Sequence, residues 1–561
     1  MARRIRWQIV IATLSALLVV ILLGRMALLN AAVSSPLPGG SYVEAVIGAP
    51  TQPIPLLNDP LVDPAGRDLG ALLFDGLTRI GSDGLPEAAL AADWQIDSSG
   101  EVYTFNLRRD VTWHDGTPFT AADVVFTLQA IQSADFTGDP ALANLWRNVL
   151  VDRLDDYTVR CTLNVPYAPF LSKANVPILP AHLLGNIPIS EWSNAAFARQ
   201  LIGTGPYQLE ELTGERALLT LNSAYFVQQP LIDRIELRFI ETTPAALSAL
   251  DRGEVQALGM AAEPDLSQVA LPQTIRRLTL PLDAYTVLTF NLRNAPLDSQ
   301  ALRQALSLGL DKNVLIEQVL GGTAVRVDTP ILPGWWAYDA TVQGYAYNPI
   351  AAEAALEDLG YTPAADGIRT RDGEPLVLSL ITDGAPERQA AAADIARQWQ
   401  DIGVQVEIEE LDSPALRRRL RDRDFVMALH SWTRLGADPD VFELWHSSQA
   451  ASGLNYAGLR DEEIDTLLIS ARTELELAAR NADYAAFQQR WIDLAPSIIL
   501  YQPLYNFTAD TQIGGFGFDT LDQNRLSNAG ILIGREDRYR NVTRWFVRSS
   551  REIPGSLRQG R

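Results

Sequence analysis

One stretch limits the fold more than any other. From Pro375 the chain reads "PLVLSLIT", then "DGAPE", then "RQAAAADIARQWQDI", and after Gly403 "VQVEIEEL". The first segment is an apolar run of strand length, and the third repeats apolar residues at helical spacing. Gly403 stands where a helix needs a left-handed terminator. "SPALRRRLRDR" then supplies another helix, with Ser413 as N-cap and Pro414 at its first position, and "DFVMALHSW" supplies a third strand. Strand, helix, strand, helix, strand at these lengths requires right-handed crossovers and a parallel sheet clothed by helices, so the fold class is α/β. Ligands of such sheets sit beyond the carboxyl ends of the strands. That places His430, Ser431, Trp432 and the following "TRLGADPDVF" at an expected cleft.

The chain's 561 residues call for two or three lobes, and 47% hydrophobic with 20% charged residues is a composition that packs. A net charge of −22 repels phosphate backbones, which argues against nucleic acid. Cys161 is the single cysteine, in "VRCTLNV", so it reads as a buried strand thiol, and no thiolate cluster can bind metal. The four histidines, His114, His182, His430 and His446, show no metal-ligand spacing, and Gly203-Thr204-Gly205-Pro206 lacks a dinucleotide-loop pattern. Neither a cofactor nor an enzymatic activity is expected.

Arg3, Arg4 and Arg6 precede an apolar run from Ile9 to Leu23, which is the pattern of an export signal. The run continues past Gly24 and Arg25 to Val33, long enough to span a bilayer. Residues 1–35 are therefore a signal peptide or a signal-anchor helix, and the remainder lies outside the cytoplasm. No cysteine follows the run, which excludes a lipobox.

"SSPLPGGS" reads as a linker, "YVEAVIGA" as a first strand and "GRDLGALLFDGLTRI" as an amphipathic helix. "EVYTFNLRRDVTW" alternates as a strand, "HDGTPF" turns, and Thr120 caps the next helix with Asp123 at its N3 position. His114 and Asp115 are adjacent and point apart, so they form a turn rather than a catalytic pair. A strand ending at Asn291 precedes a helix from about Asp298. Asp311 caps a further helix, ended by Gly321-Gly322. Two helices follow from Asp461, and "PSIILYQPLYNFTA" returns as a strand before a tail from Gly514.

These segments include "LLFDGLTRI", "YTFNLRRDVTWHDGTPFTAADVVFTL", "GTGPY", "LDRGEVQA", "FNLRNAPLDSQALRQALSLGLDKNVLIEQVLGG" and "YNPIAAEAALEDLGY". In that order they resemble the extracytoplasmic solute-binding proteins of ABC importers, in the class that includes dipeptide, oligopeptide and nickel binders (family 5). The resemblance covers nearly the whole chain after the N-terminal segment. It implies a two-lobed periplasmic-binding-protein-like fold of class II, or cluster C, type that closes around its ligand. The first lobe would span 40–285 with an extra subdomain at about 76–200. The second would span 286–502, followed by a return to the first lobe at 503–550 and a disordered tail at 551–561. "NVTRWFV" looks like the family's closing strand.

The resemblance further implies a monomer that captures a small peptide or other organic solute, delivers it to permease subunits, and contacts the membrane through its N-terminal segment. Peptide-binding members carry Trp-x-x-Asp-Tyr-x-Asp-Pro, whose first aspartate pairs the ligand's amine. Here the stretch reads Trp432-Thr433-Arg434-Leu435-Gly436-Ala437-Asp438-Pro439, so Leu435 stands where that aspartate would be. Either Asp438 or Asp440 substitutes, or these residues cap a helix. Without a substitute, an oligosaccharide, a nickel chelate or another organic solute replaces the peptide; a ligand-sensing receptor would share every feature. Candidate ligand contacts are Trp432, Leu435, Asp438, Asp440, Asn291, Tyr501 and Trp445. Trp335 and Trp336 stand either at the cleft rim or over a loop.

Overall fold

The computed structural model describes residues 14, 15, 18, 33–59, 62–261, 269–517 and 532–552. The expected signal or anchor at 1–35 falls almost wholly outside these residues, as do 553–561. Among the described residues no helix is long and apolar enough to cross a membrane.

The Pro375 region folds as its pattern dictates. Val377–Asp383 and Gln405–Leu411 are parallel strands joined by the helix Pro386–Asp401, and Met427–Thr433 pairs parallel to the first of them. The helix between the last two strands is Ser413–Asp422, and its cap is Asp412, one residue earlier than expected. The Asp412 carboxylate accepts the Ala415 N–H at 2.6 Å, while the Ser413 hydroxyl donates to Asp383.

This parallel unit is one end of a twelve-stranded sheet. Met427–Thr433 lies antiparallel to Ala284–Phe290, which pairs in turn with the 14-residue strand Ser497–Asp510. That long strand pairs with Ala284–Phe290 over Ser497–Tyr501 and with Ile275–Pro281 over Leu504–Asp510. Its far half adjoins Ala257–Ala261, then Ser41–Ile47, Arg234–Ile240, Arg216–Leu221 and Tyr207–Leu212. The chain therefore crosses between the halves of the sheet at two adjacent places, Leu282–Asp283 and Gln502–Pro503.

Separate hydrophobic cores flank the crossings. One gathers Tyr42, Trp113, Trp146, Trp192 and Trp545. The others gather Phe290, Trp399 and Leu429, and Tyr285, Trp445 and Trp491. A four-stranded antiparallel sheet joins the first core, ordered Ala91–Ile96, Val102–Leu107, Thr158–Leu163 and Val149–Asp155. Against it packs Ala121–Gln132, whose Thr120 and Asp123 form the full capping box. Cys161 lies buried in this sheet, where burial pushes its thiol up to about 12.

Two expectations change. The 34–41 stretch is not a free linker, because Val33–Leu37 is a strand paired antiparallel with Arg548–Glu552. The closing strand is thus Arg548–Glu552 rather than 541–547, and the helical segment Arg535–Arg544 precedes it. Arg538 is buried there against Glu44 at 2.8 Å and Asp68 at 2.7 Å, and Arg535 reaches Asp68 at 2.7 Å. Two acids and two arginines neutralise one another, as buried charges must.

Candidate ligand cleft

The "WHDG" turn supports the first core rather than the cleft. The Gly203 N–H donates to His114 Nδ1 at 3.1 Å, so the ring proton sits on Nε2 and is donated to the Gly205 carbonyl at 3.1 Å. Burial lowers this histidine to about 4. Asp115 turns away to His182 at 2.8 Å. The glycines it grips admit no side chain: a Cβ on Gly203 would lie 1.8 Å from the Leu73 carbonyl oxygen.

The cleft forms where Met427–Thr433 ends. Trp432 is half-buried and stacks on Tyr456, with ring centroids 5.3 Å apart and 20° between planes. Beyond it the loop is pinned to the crossing between the sheet halves. Arg434 N–H donates to the Asp283 carbonyl at 2.7 Å, and Gly436 N–H donates to the Asp283 carboxyl at 2.7 Å. Gly436 has φ +112°, a conformation that L side chains rarely adopt. Burial pushes the Asp283 carboxyl up to about 8.

Trp432, Leu435, Asp438 and Asp440 line a cavity of about 950 Å³, together with Trp335 and, from the first core's side, Tyr167 and Lys173. A second cavity of about 700 Å³ adjoins it and shares Lys173, Thr433, Arg434 and Gly436 in its lining. Contacts cross this cleft. Tyr167 donates to Asp440 at 3.3 Å, Ala168 N–H donates to the Arg472 carbonyl at 2.9 Å, and Arg434 pairs with Glu536 at 2.7 Å.

The two aspartates are already partnered. Asp438 is buried and pairs with Arg480 at 2.7 Å, whose guanidinium lies over Trp336 at 4.9 Å. Asp440 pairs with Arg472 at 2.8 Å, and its other oxygen accepts the Phe442 N–H at 3.3 Å. Neither aspartate is the cap of the helix Phe442–Trp445, whose N-cap is Val441 without a side-chain bond, and Trp336 supports an arginine instead of facing the cleft.

Three expected contacts turn away from the cavity. The Asn291 side chain is buried and donates to the Arg423 and Phe425 carbonyls at 3.1 and 2.9 Å, so it fastens a loop. Tyr501 packs in the core with Leu429 and Trp399. Trp445 packs edge-on against Trp491 at 5.2 Å. His430 is also buried, bonded to Thr289 at 2.9 Å, and Ser431 bonds Thr286 and Arg388; neither lines the cavity. The sequence reading missed Lys173, Asp283, Arg472, Arg480 and Tyr456. Asp283 alone left a local mark, an acid inside the apolar run "LTLPLDAYTVLTF".

Comparison with known proteins follows the same geometry. The profile of bacterial extracellular solute-binding proteins, family 5 Middle, matches residues 86–453. The chain belongs to this family. Among its relatives, the oligopeptide-binding protein AppA of Bacillus subtilis (strain 168) is 28% identical over 493 residues, covering 86% of this chain and 90% of that protein. The structure of AppA with a nonapeptide superposes with a TM-score of 0.67 at 25% identity, covering 92% of this chain and all of the other. NikZ from Campylobacter jejuni, solved with Ni(L-His), gives a TM-score of 0.69 at 25% identity over 90% of this chain and 99% of its own. This family-5 chain therefore has the mixed α/β fold of solute-binding proteins whose solved ligands differ widely.

Proposed function

We infer that this protein is the extracytoplasmic solute-binding component of an ABC importer. It captures a peptide or peptide-like organic solute between two lobes and hands it to a membrane permease. The observation that carries this reading is the cleft of about 950 Å³ walled by Trp432, Leu435 and Trp335, in a chain of this family. A cavity of that size suits a small organic ligand, and an aromatic wall supplies contact area at low entropic cost.

The lobes meet at the paired crossings around Asp283 and Gln502. Hinge motion there opens the cleft for entry and closes it around solute. The protein acts as a monomer outside the cytoplasm, with residues 1–35 either removed after export or retained as its anchor. No catalytic step is required of it.

A second reading, a non-peptide organic solute, is favoured by Leu435 and by the engagement of Asp438 and Asp440 with arginines. To test the common claim, the full chain is purified in mild detergent and denatured, and the released small molecules are identified by mass spectrometry. An organic solute that is present with the wild type and lost with Trp432→Ala is the expected result. Equal recovery from both proteins would remove the cleft from the account.

A further inference from the structure

The chain contains two lysines among its 46 basic residues, Lys173 and Lys312. Lys312 is buried and committed: its ammonium donates to the Val327 and Ile499 carbonyls at 2.9 Å each and pairs with Asp328. Lys173 ends the short helix Phe170–Lys173 and lines both cavities. Its Nζ would lie 3.2 Å from a Cβ on Gly436, so the glycine leaves it room at the loop. Within the described residues the Lys173 ammonium makes no hydrogen bond and no ion pair.

The acids around it are engaged elsewhere. Asp438 is held by Arg480, and Asp440 and Glu443 by Arg472 at 2.8 and 3.2 Å. Glu536 is shared by Arg434 and Arg67 at 2.7 and 3.3 Å. Asp139 is exposed and caps its own helix through the Ala141 N–H. Asp283 and Asp438 feel the Lys173 charge, but neither bonds its ammonium: Asp283 holds the Gly436 N–H at 2.7 Å and Asp438 holds Arg480. The wall thus offers one ammonium without a hydrogen-bonded partner of its own.

We propose that the cleft selects a solute by a carboxylate that pairs with Lys173, and that it does not require a free amine. This rests on reading the cleft as the solute site. A carboxylate fits better than a phosphoryl group: one compact ammonium balances one negative charge, whereas a phosphate dianion calls for arginine forks or a helix terminus. The cleft's arginines are already paired. Closing the lobes withdraws the ammonium from water, which strengthens its attraction for an anion.

The test uses the full chain in mild detergent and yeast extract in three forms: untreated, acetylated on its amines, and methyl-esterified on its carboxyls in acidic methanol, which spares phosphates. After washing, the retained molecules are released by denaturation and counted by mass spectrometry. Acetylation should leave retention unchanged, and esterification should cut it about ten-fold or more. Lys173→Met should abolish that difference and Lys173→Glu should reverse it, both at the wild-type melting temperature. Retention of esterified material at the untreated level, loss on acetylation, or retained phosphates overturns the proposal. So does Lys173→Met keeping the preference. If no form is retained at all, the solute-binding reading itself falls, and the proposal with it. The comparison of the three forms on wild-type protein needs no variant.

Discussion

Asp438 and Arg480 lie 2.7 Å apart in the wall of the cleft, both almost wholly withdrawn from water. Burial pushes the Asp438 carboxyl up and Arg480 opposes it, so the ion pair depends on both members. Arg480→Met strands a buried carboxylate and should cost about 3–5 kcal/mol in urea unfolding. Adding Asp438→Asn should recover much of the loss. A loss that the second substitution leaves unchanged would contradict the pairing as its cause.

Trp432, at a strand end, and Trp445 are both candidate contacts in the sequence, and their predicted phenotypes separate. Trp432 faces the cavity and stacks on Tyr456, so Trp432→Ala should weaken solute binding about ten-fold or more with a small change in melting temperature. Trp445 packs on Trp491 in the core, so Trp445→Ala should cost about 3–5 kcal/mol of stability. Calorimetric titration with the recovered solute and thermal unfolding read the two effects. Equal affinity loss without destabilisation in Trp445→Ala would return that residue to the site.

The contrast shows what the sequence could convey. Period and punctuation located the parallel unit from Val377 to Thr433, the Thr120 capping box and the Asp311 cap, because each depends on neighbours along the chain. Strand ends placed Trp432 and Leu435 at the cleft for the same reason. Lys173 reaches it from a distant segment, Asp283 and Arg480 hold its Gly436 and Asp438 from others, and nothing local marks an arginine as the partner of Asp438. Asn291 directly follows its strand, which ends at Phe290, and its amide is consumed by the backbone at 423 and 425. Nothing local marks Arg538 either, which lies buried between Glu44 and Asp68. The scarcity of lysine was the one global signal for Lys173.

The glycines of the "GTGPY" loop are steric requirements. A Cβ on Gly205 would lie 2.5 Å from the Leu73 carbonyl carbon, so Gly205→Ala should cost about 1–3 kcal/mol or more in denaturant unfolding. Solute selectivity of the protein that still folds should stay unchanged. A neutral effect on stability would contradict the close approach of this loop to Leu73.

His114 makes stability depend on pH with a definite sign. Its folded value, about 4, lies below the ordinary 6.5, so the unfolded chain takes up the proton first as the medium is acidified. The contribution is complete above about pH 6.5 and is lost as pH falls towards 4, by up to about 3 kcal/mol. The stability difference between wild type and His114→Gln should therefore shrink across that window. His430, lowered to about 3 by burial, acts in the same direction in both proteins and cancels from the difference. A difference independent of pH would mean that His114 is not held neutral.

The central claim is that solute is captured by closure of two lobes around this cleft. Asn144 and Thr473 are exposed on opposite sides of the same cavity, and Cys161 is buried away from labelling reagents. Spin labels on Asn144→Cys and Thr473→Cys in the full chain report the span by pulsed electron resonance, with and without the solute recovered from the protein. The expected result is a shorter, narrower distance distribution when solute is bound, abolished by Trp432→Ala. An unchanged distribution at saturating solute would contradict capture by closure.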